Sequence, residues 1–211
     1  MDNRLKKCKS CKSEFVPTKP LQKVCCFQCA FDLNKIAAKK KYNKEAKIEK
    51  AKMKERIKSL SDYRNDLQTE INKISRFIDL ECPCIACNSS NGQMHGSHYR
   101  SVGGWTNLRF NLFNIYSGCS TCNLKKSGNI VKFRDGLISL FGQDLMNYID
   151  DLNIQYPYIK LQVSDLKERI VIARKIVKEL NQLNKVEKLP RSVEQRIELR
   201  KNYNKILNIY I

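Results

Sequence analysis

From Leu60 onward the apolar residues recur at three- and four-residue steps: Leu60, Tyr63, Leu67, Ile71, Ile74 and Phe77 or Ile78 fall on one side of a 3.6-residue spiral. Upstream of that stripe the period disappears. Residues 35–58 read KIAAKKKYNKEAKIEKAKMKERIK, with eleven Lys and Arg against three Glu. No Pro or Gly interrupts residues 30–80, so the whole segment is expected to be helical, with a packing face in its later half only. Further on, Ile130, Val131, Phe133, Leu137, Ile138 and Phe141 mark a helix stopped at Gly142. A helix from Asp165, capped by Ser164, to about Asn184 presents Leu166, Ile170, Ala173, Ile176, Val177 and Leu180. That face suits either the first long helix or a second copy of the chain. A last helix runs from Ser192 to the end. Between these helices the texture changes: Pro83 and six glycines from Gly92 to Gly128 punctuate residues 81–142, and QMHGSHYR and NLRFNLFNIY read as short strands.

Charge narrows the class of partner. The 211 residues include 40 Lys and Arg against 21 Asp and Glu, a net charge of +19, which points to a polyanion, nucleic acid first. The basic run at 35–58 is equally a solvated helix face or an arm that tracks phosphates. Neither a run of about 18 apolar residues nor a signal peptide is seen, so no membrane partner is expected and a reducing cytoplasm is. There, closely spaced cysteines read as metal ligands and not as disulfides.

The ten cysteines form two clusters: Cys8, Cys11, Cys25, Cys26 and Cys29, then Cys82, Cys84, Cys87, Cys119 and Cys122. Two thiolates on a tight turn bite one metal and a second pair closes the tetrahedron, so each cluster is expected to hold a structural Zn²⁺. Cys84, Cys87, Cys119 and Cys122 make one set. Cys8, Cys11 and Cys29 belong to the other, with Cys25 or Cys26 as its fourth member. The spare cysteines are expected to be small buried hydrophobes. Residues 1–30 have too little apolar area to fold without the metal. The resulting plan is a zinc module over 1–30, a basic helical arm over 31–80, a metal-stapled core over 81–150 and a helical region over 151–211.

The order knuckle, strand, loop, strand, knuckle, helix over residues 81–142 resembles the ββα-metal arrangement of HNH nucleases. The fold class expected is therefore α+β, mostly helical: a small zinc-stapled HNH-like nuclease core with an N-terminal zinc knuckle and long basic helices. The resemblance puts His98, Asn114 and Asn123 at the catalytic positions, with His98 as general base toward water and Mg²⁺ or Mn²⁺ on the phosphate. His95 and Asn123 are the candidate ligands of that ion. Arg100, Arg109, Lys125 and Lys126 flank the motif and are candidates for gripping the DNA backbone. Trp105 either stacks on an unpaired base or caps the small core.

A closer resemblance follows from PCIAC, GSHYRS, LRFN, CSTCN, KSGN, GLISLFGQD and the N-terminal CKSCKSEFVPTKPLQKVCCFQCA. Together, in this order, they resemble the NinG family of lambdoid phages, also called Rap. The resemblance implies a DNA endonuclease of phage recombination acting on branched DNA such as Holliday junctions and D-loops, in the host cytoplasm and alongside phage or host recombination proteins. It also favours Cys25 over Cys26 as the zinc ligand. Symmetric cutting of a four-way junction needs two active sites, so a homodimer through the long helices is expected. Three positions depart from the pattern. Asn111-Leu112-Phe113-Asn114-Ile115-Tyr116 stands where relatives commonly show Asn-Glu-x-Asn-Ile-His, and His95 stands where a relative has aspartate. The losses at Leu112 and Tyr116 keep a second expectation beside the nuclease, a non-catalytic zinc-stapled accessory protein that binds DNA.

Overall fold

The computed structural model describes residues 5–56 and 58–210, which form two compact units divided between Lys58 and Ser59.

The first unit is a small antiparallel pair, β1 (Lys6–Lys7) with β2 (Glu14–Phe15), followed by the 30-residue helix α1 (Phe27–Arg56). Its lack of Pro and Gly explains why α1 is continuous. Its surface explains little else: among the described residues of this unit only Cys8 and Cys29 are buried. A fully buried aliphatic side chain contributes about 1.5–3 kcal/mol, and here there is none. The four cysteines of this unit could hold a structural Zn²⁺, which contributes roughly 10–16 kcal/mol in small modules.

In the second unit, α2 (Leu60–Ile78) starts at a capping box. The Ser59 hydroxyl accepts from the Asp62 amide at 3.2 Å, and the Asp62 carboxylate accepts from the Ser59 amide at 2.8 Å. That box divides the helical stretch in two at the point where the apolar stripe begins. The stripe is buried as its spacing requires. Tyr63, Leu67, Ile71, Ile74 and Ile78 pack on Leu166, Ile170, Ala173, Ile176 and Leu180 of α5 (Val163–Leu183). The α5 face therefore docks within the chain. Its N-terminal cap is Gln162, two residues before Ser164: the Gln162 amide donates to the Asp165 carboxylate at 2.8 Å, which closes a capping box there.

Between these helices lies the hairpin β3 (Met94–His98) and β4 (Ile115–Cys119), antiparallel with His98 opposite Ile115, Ser97 opposite Tyr116 and His95 opposite Gly118. NLRFNLFNIY is not a strand along its length. Only its last two residues enter β4, and Thr106–Leu108 and Leu112–Asn114 are single 3₁₀ turns. The Asn111 side chain accepts from the Phe113 amide at 2.9 Å, a local bond that competes with a sheet ladder. Gly96 lets the hairpin approach α2: a Cβ there would lie 2.9 Å from the Asn72 carbonyl oxygen.

On the other side, α3 (Ile130–Phe141) ends at Gly142, whose φ of 85° only glycine adopts readily. The next helix, α4 (Gln143–Gln155), was not expected, although Leu145, Met146, Ile149 and Leu152 carry the helical period and are all buried. With Tyr99, Leu108, Phe113, Tyr116, Phe133 and Leu137 they form a second core. Finally α6 (Val193–Leu207), capped by Ser192 and Gln195, crosses back to the hairpin. Arg196 and Arg200 bring their guanidiniums to the two oxygens of Asp79 at 2.9 and 2.8 Å. No helix among the described residues is long and apolar enough to cross a membrane.

Candidate functional site

Two four-cysteine sets are closed in space. In Cys8, Cys11, Cys25 and Cys29, and again in Cys84, Cys87, Cys119 and Cys122, all the Sγ atoms of a set lie within 4.8 Å of one another. A tetrahedral Zn²⁺ with Zn–S of about 2.3 Å places its sulfurs about 3.8 Å apart. The pairs Cys11–Cys25 at 3.5 Å, Cys25–Cys29 at 3.5 Å and Cys87–Cys119 at 3.7 Å match that spacing. Cys25 is the fourth member of the first set, and Cys26 is exposed outside it.

The electrostatics of the second set fit a cation. Burial pushes the Cys84 thiol up, but the backbone amides of Cys119, Ala86 and Cys87 outweigh it and bring it down to about 7. At Cys87 a bond from the Ser89 backbone lowers the value, yet burial and the neighbouring thiols Cys122, Cys84 and Cys119 drive it to about 12. Four clustered thiols cannot all ionise without a metal to share their charge.

Between the two halves of this knuckle runs the loop joining β3 to β4, and Asn114 holds its ends. Its side-chain oxygen accepts from the Arg100 amide at 2.7 Å, and its NH₂ group donates to the carbonyls of Arg100 at 3.0 Å and Leu108 at 3.2 Å. With its side chain wholly enclosed, Asn114 clamps the loop that carries Arg109. The Arg109 carbonyl in turn lies 3.0 Å from Nε2 of His98. A carbonyl only accepts, so Nε2 carries the proton and Nδ1 keeps its lone pair. Burial holds His98 well below the usual imidazole range, at about 4; the Arg109 carbonyl opposes this weakly and the Arg109 charge adds to it. His98 is therefore neutral at neutral pH.

Side chains alternate along a strand, so His95 and Ser97 share the face opposite His98. His95 Nε2, Ser97 Oγ and Tyr116 Oη are buried without a hydrogen-bond partner among the described residues. The register sets His95 opposite Gly118 and Ser97 opposite Tyr116, so these side chains lie on one face of the hairpin. The orphaned imidazole nitrogen is what keeps His95 a candidate ligand. Beyond the two cysteine sets, the described residues gather no other group of three or more His, Cys, Asp or Glu ligand atoms. Among them no recorded hydrogen bond joins His98 to His95 or Asn123. Asn123 is half-buried in a π-helical turn, Thr121–Lys125, directly after Cys122.

The basic candidates separate into three environments. Lys125 and Lys126 are exposed. Arg100 is engaged within the chain: it pairs with Asp150 and lies over the rings of Trp105 at 4.6 Å and Tyr99 at 4.9 Å, which also covers one face of Trp105. Arg109 is held by neutral groups of α2, donating to Gln68 at 3.2 Å and Asn65 at 2.8 Å. Sequence reasoning missed Asn65, Gln68 and Arg64 because each reads as the solvated side of an amphipathic helix. It missed the buried Asp79, Arg196 and Arg200 because isolated charges at long separation carry no spacing signal.

The site is thus a hairpin flanked by a four-cysteine set that could hold zinc, carrying an oriented, neutral histidine within a basic chain. Sequence comparison gives this architecture its relatives. A family model described as "Bacteriophage Lambda NinG protein" matches residues 2–184. Protein ninG of Escherichia phage 933W is 34% identical over 163 residues, covering 69% of this chain and 80% of the relative. Protein ninG of Escherichia phage lambda is 32% identical over 165 residues, with 69% and 79% covered, and that of Salmonella phage P22 is 31% identical over 157 residues, with 65% and 76% covered. No solved structure matches the chain. The chain belongs to the NinG family. Helix α6 lies beyond the matched region.

Proposed function

We propose that this protein is a phage recombination endonuclease that hydrolyses phosphodiester bonds in DNA, branched structures in particular, with His98 as general base. One observation carries this assignment: the 3.0 Å bond from His98 Nε2 to the Arg109 carbonyl, which leaves Nδ1 as a fixed proton acceptor. Asn114 is then a positioning residue, because it fixes the loop whose carbonyl orients the imidazole. In the uncomplexed chain His98 is a weak base, and a bound phosphate, being anionic, shifts it upward toward neutral pH, where general bases are most effective. Nδ1 takes a proton from water as that water attacks phosphorus and the 3′ oxygen leaves.

Mg²⁺ or Mn²⁺ belongs to the same proposal, with Asn123 as a side-chain donor; His95 faces away from His98 across the strand and would reach the same ion only after the end of β3 turns. When bound the ion would supply charge neutralisation at the non-bridging oxygens. The donor set, an imidazole and an amide without a carboxylate, suits Mn²⁺ better than Mg²⁺. Arg109, Lys125 and Lys126 and the basic helix α1 supply phosphate contacts. Two copies are proposed to act on a symmetric junction.

A second reading is supported by the same structure: a zinc-stapled DNA-binding accessory protein without catalysis. Its specific support is that the described residues gather no third group of three or more His, Cys, Asp or Glu ligand atoms beyond the two cysteine sets, and that Asp150 engages Arg100. Incubating a synthetic four-way junction with Mg²⁺ or Mn²⁺, beside the His98→Ala variant, separates the two. Cutting by the parent chain and none by the variant supports the nuclease; binding without cutting by either supports the accessory protein.

A further inference from the structure

Where α2 meets the β3–β4 loop lies a cavity of about 290 Å³ walled by Arg64, Asn107, Arg109, Phe110, Tyr158 and Ile159. Its volume sits at the lower edge of ligand-sized pockets, about 300 Å³ upward. Three elements build it: Arg64 comes from α2, Asn107 to Phe110 from the β3–β4 loop, and Tyr158 and Ile159 from the connection between α4 and α5.

No carboxylate is among the residues that wall this cavity. Arg109 is held by the neutral side chains of Gln68 and Asn65, and no ion pair to Arg64 or Arg109 occurs among the described residues. Burial, and then the Arg64 charge, lower the Arg109 guanidinium from its ordinary value, as expected for two like charges side by side. Two guanidiniums kept together without a carboxylate mark an anion site, and their planar forks match phosphate. The remaining wall is not charged. Tyr158 is 75% exposed at the rim, a ring that packs on nothing sufficient to cover it, while Phe110 forms the floor. A phosphate site beside an exposed aromatic ring has the chemistry of a single-stranded nucleotide site, where a base stacks because it is unpaired.

Resting on the DNA-cleavage reading above, we infer that this cavity receives one unpaired nucleotide next to the bond to be cut, its phosphate on Arg64 and Arg109 and its base against Tyr158. The same residue links the two sites: the Arg109 carbonyl orients His98 and the Arg109 side chain lines the cavity. Filling the cavity therefore sets the reacting phosphate beside the base, and fully paired DNA, whose bases are stacked inward, leaves it unfilled. Preference for branched or frayed DNA follows from this pocket without any sequence readout.

The test uses the full zinc-loaded chain without added divalent metal, and two DNA probes of one sequence: a duplex with one unpaired 2-aminopurine nucleotide, and the same duplex fully paired. The parent chain is expected to bind the unpaired probe about tenfold more tightly, with a change in 2-aminopurine fluorescence, the scale of one base–aromatic stack. Tyr158→Ala and Arg64→Gln are each expected to bring that preference close to one, while Tyr158→Phe keeps it and His98→Ala keeps it. Equal affinity of the parent chain for both probes overturns the pocket, as does a preference that survives both Tyr158→Ala and Arg64→Gln. Junction cleavage is read separately, so cutting without the preference refutes the pocket alone, and the preference without cutting supports the pocket while refuting the nuclease.

Discussion

Nη2 of Arg200 lies 2.8 Å from Oδ2 of Asp79, and neither side chain has any exposed surface. The second oxygen of Asp79 takes Arg196 at 2.9 Å, and the Ser117 amide also donates to Oδ2 at 2.9 Å. One carboxylate thus ties α6 to the end of α2 and to β4, while Arg200 reaches the Leu112 carbonyl at 3.2 Å and covers the Tyr116 ring at 4.3 Å. The helix beyond the family match is therefore part of the wall that holds the hairpin.

Replacing Asp79 by Asn leaves two buried guanidiniums opposite no charge. A loss of about 3–5 kcal/mol is expected, the cost of breaking a buried pair from one side. Urea unfolding at neutral pH measures it. Burial raises the Asp79 carboxyl, yet Arg200 and Arg196 outweigh this and hold it below its ordinary 3.8. That stabilisation is present above the unfolded-state value and disappears as pH falls through the lower folded one. The Asn variant should therefore lose its deficit relative to the parent in strong acid.

His98 gives a second window. Its folded value of about 4 lies below the ordinary 6.5, so between those pH values the unfolded chain binds a proton that the folded chain does not. Stability is complete above pH 6.5 and falls as pH drops from 6.5 toward 4, by on the order of 3 kcal/mol. Urea titrations of the parent and His98→Gln should diverge in slope across that window and run parallel above it.

Zinc content distinguishes the cysteines. Elemental analysis of the parent should give about two zinc ions per chain, one per cluster. Cys26→Ser should keep both, whereas Cys25→Ser and Cys119→Ser should each weaken one site. Chelation should unfold the first unit before the second, because the first has no aliphatic core. Far-ultraviolet circular dichroism and limited proteolysis at the N-terminal end follow that order.

Asn114→Ala removes the clamp on the loop without touching His98. Small displacements at a reacting centre cost roughly a hundredfold in rate, and that loss is expected in single-turnover cleavage with DNA affinity changed far less. Equal losses in affinity and rate would mean that the loop binds DNA and does not position the base.

Much of this site is legible along the chain. Pairs of cysteines at a spacing of three or four declare the knuckles whatever surrounds them, because ligand geometry depends on local turns. The stripe from Tyr63 to Ile78 declares a buried helix face for the same reason. The choice between Cys25 and Cys26 needed either relatives or coordinates, since adjacent residues differ only in the direction each points. NLRFNLFNIY looked like a strand because its apolar residues are dense, but Asn107, Asn111 and Asn114 spend their side chains on the backbone and turn the chain. The Arg64–Arg109 pair joins a helix to a loop 45 residues away, as their numbers show, and no local period encodes such a meeting.

The central claim is that His98 activates water. Single-turnover cutting of a four-way junction by the parent, by His98→Gly and by His98→Gly with added imidazole tests it most directly. We expect the variant to be slower by roughly a hundred- to ten-thousandfold, the range for a general base, and imidazole to restore part of the rate. Equal rates for parent and variant, or a parent that binds the junction and leaves it uncut, would contradict the claim.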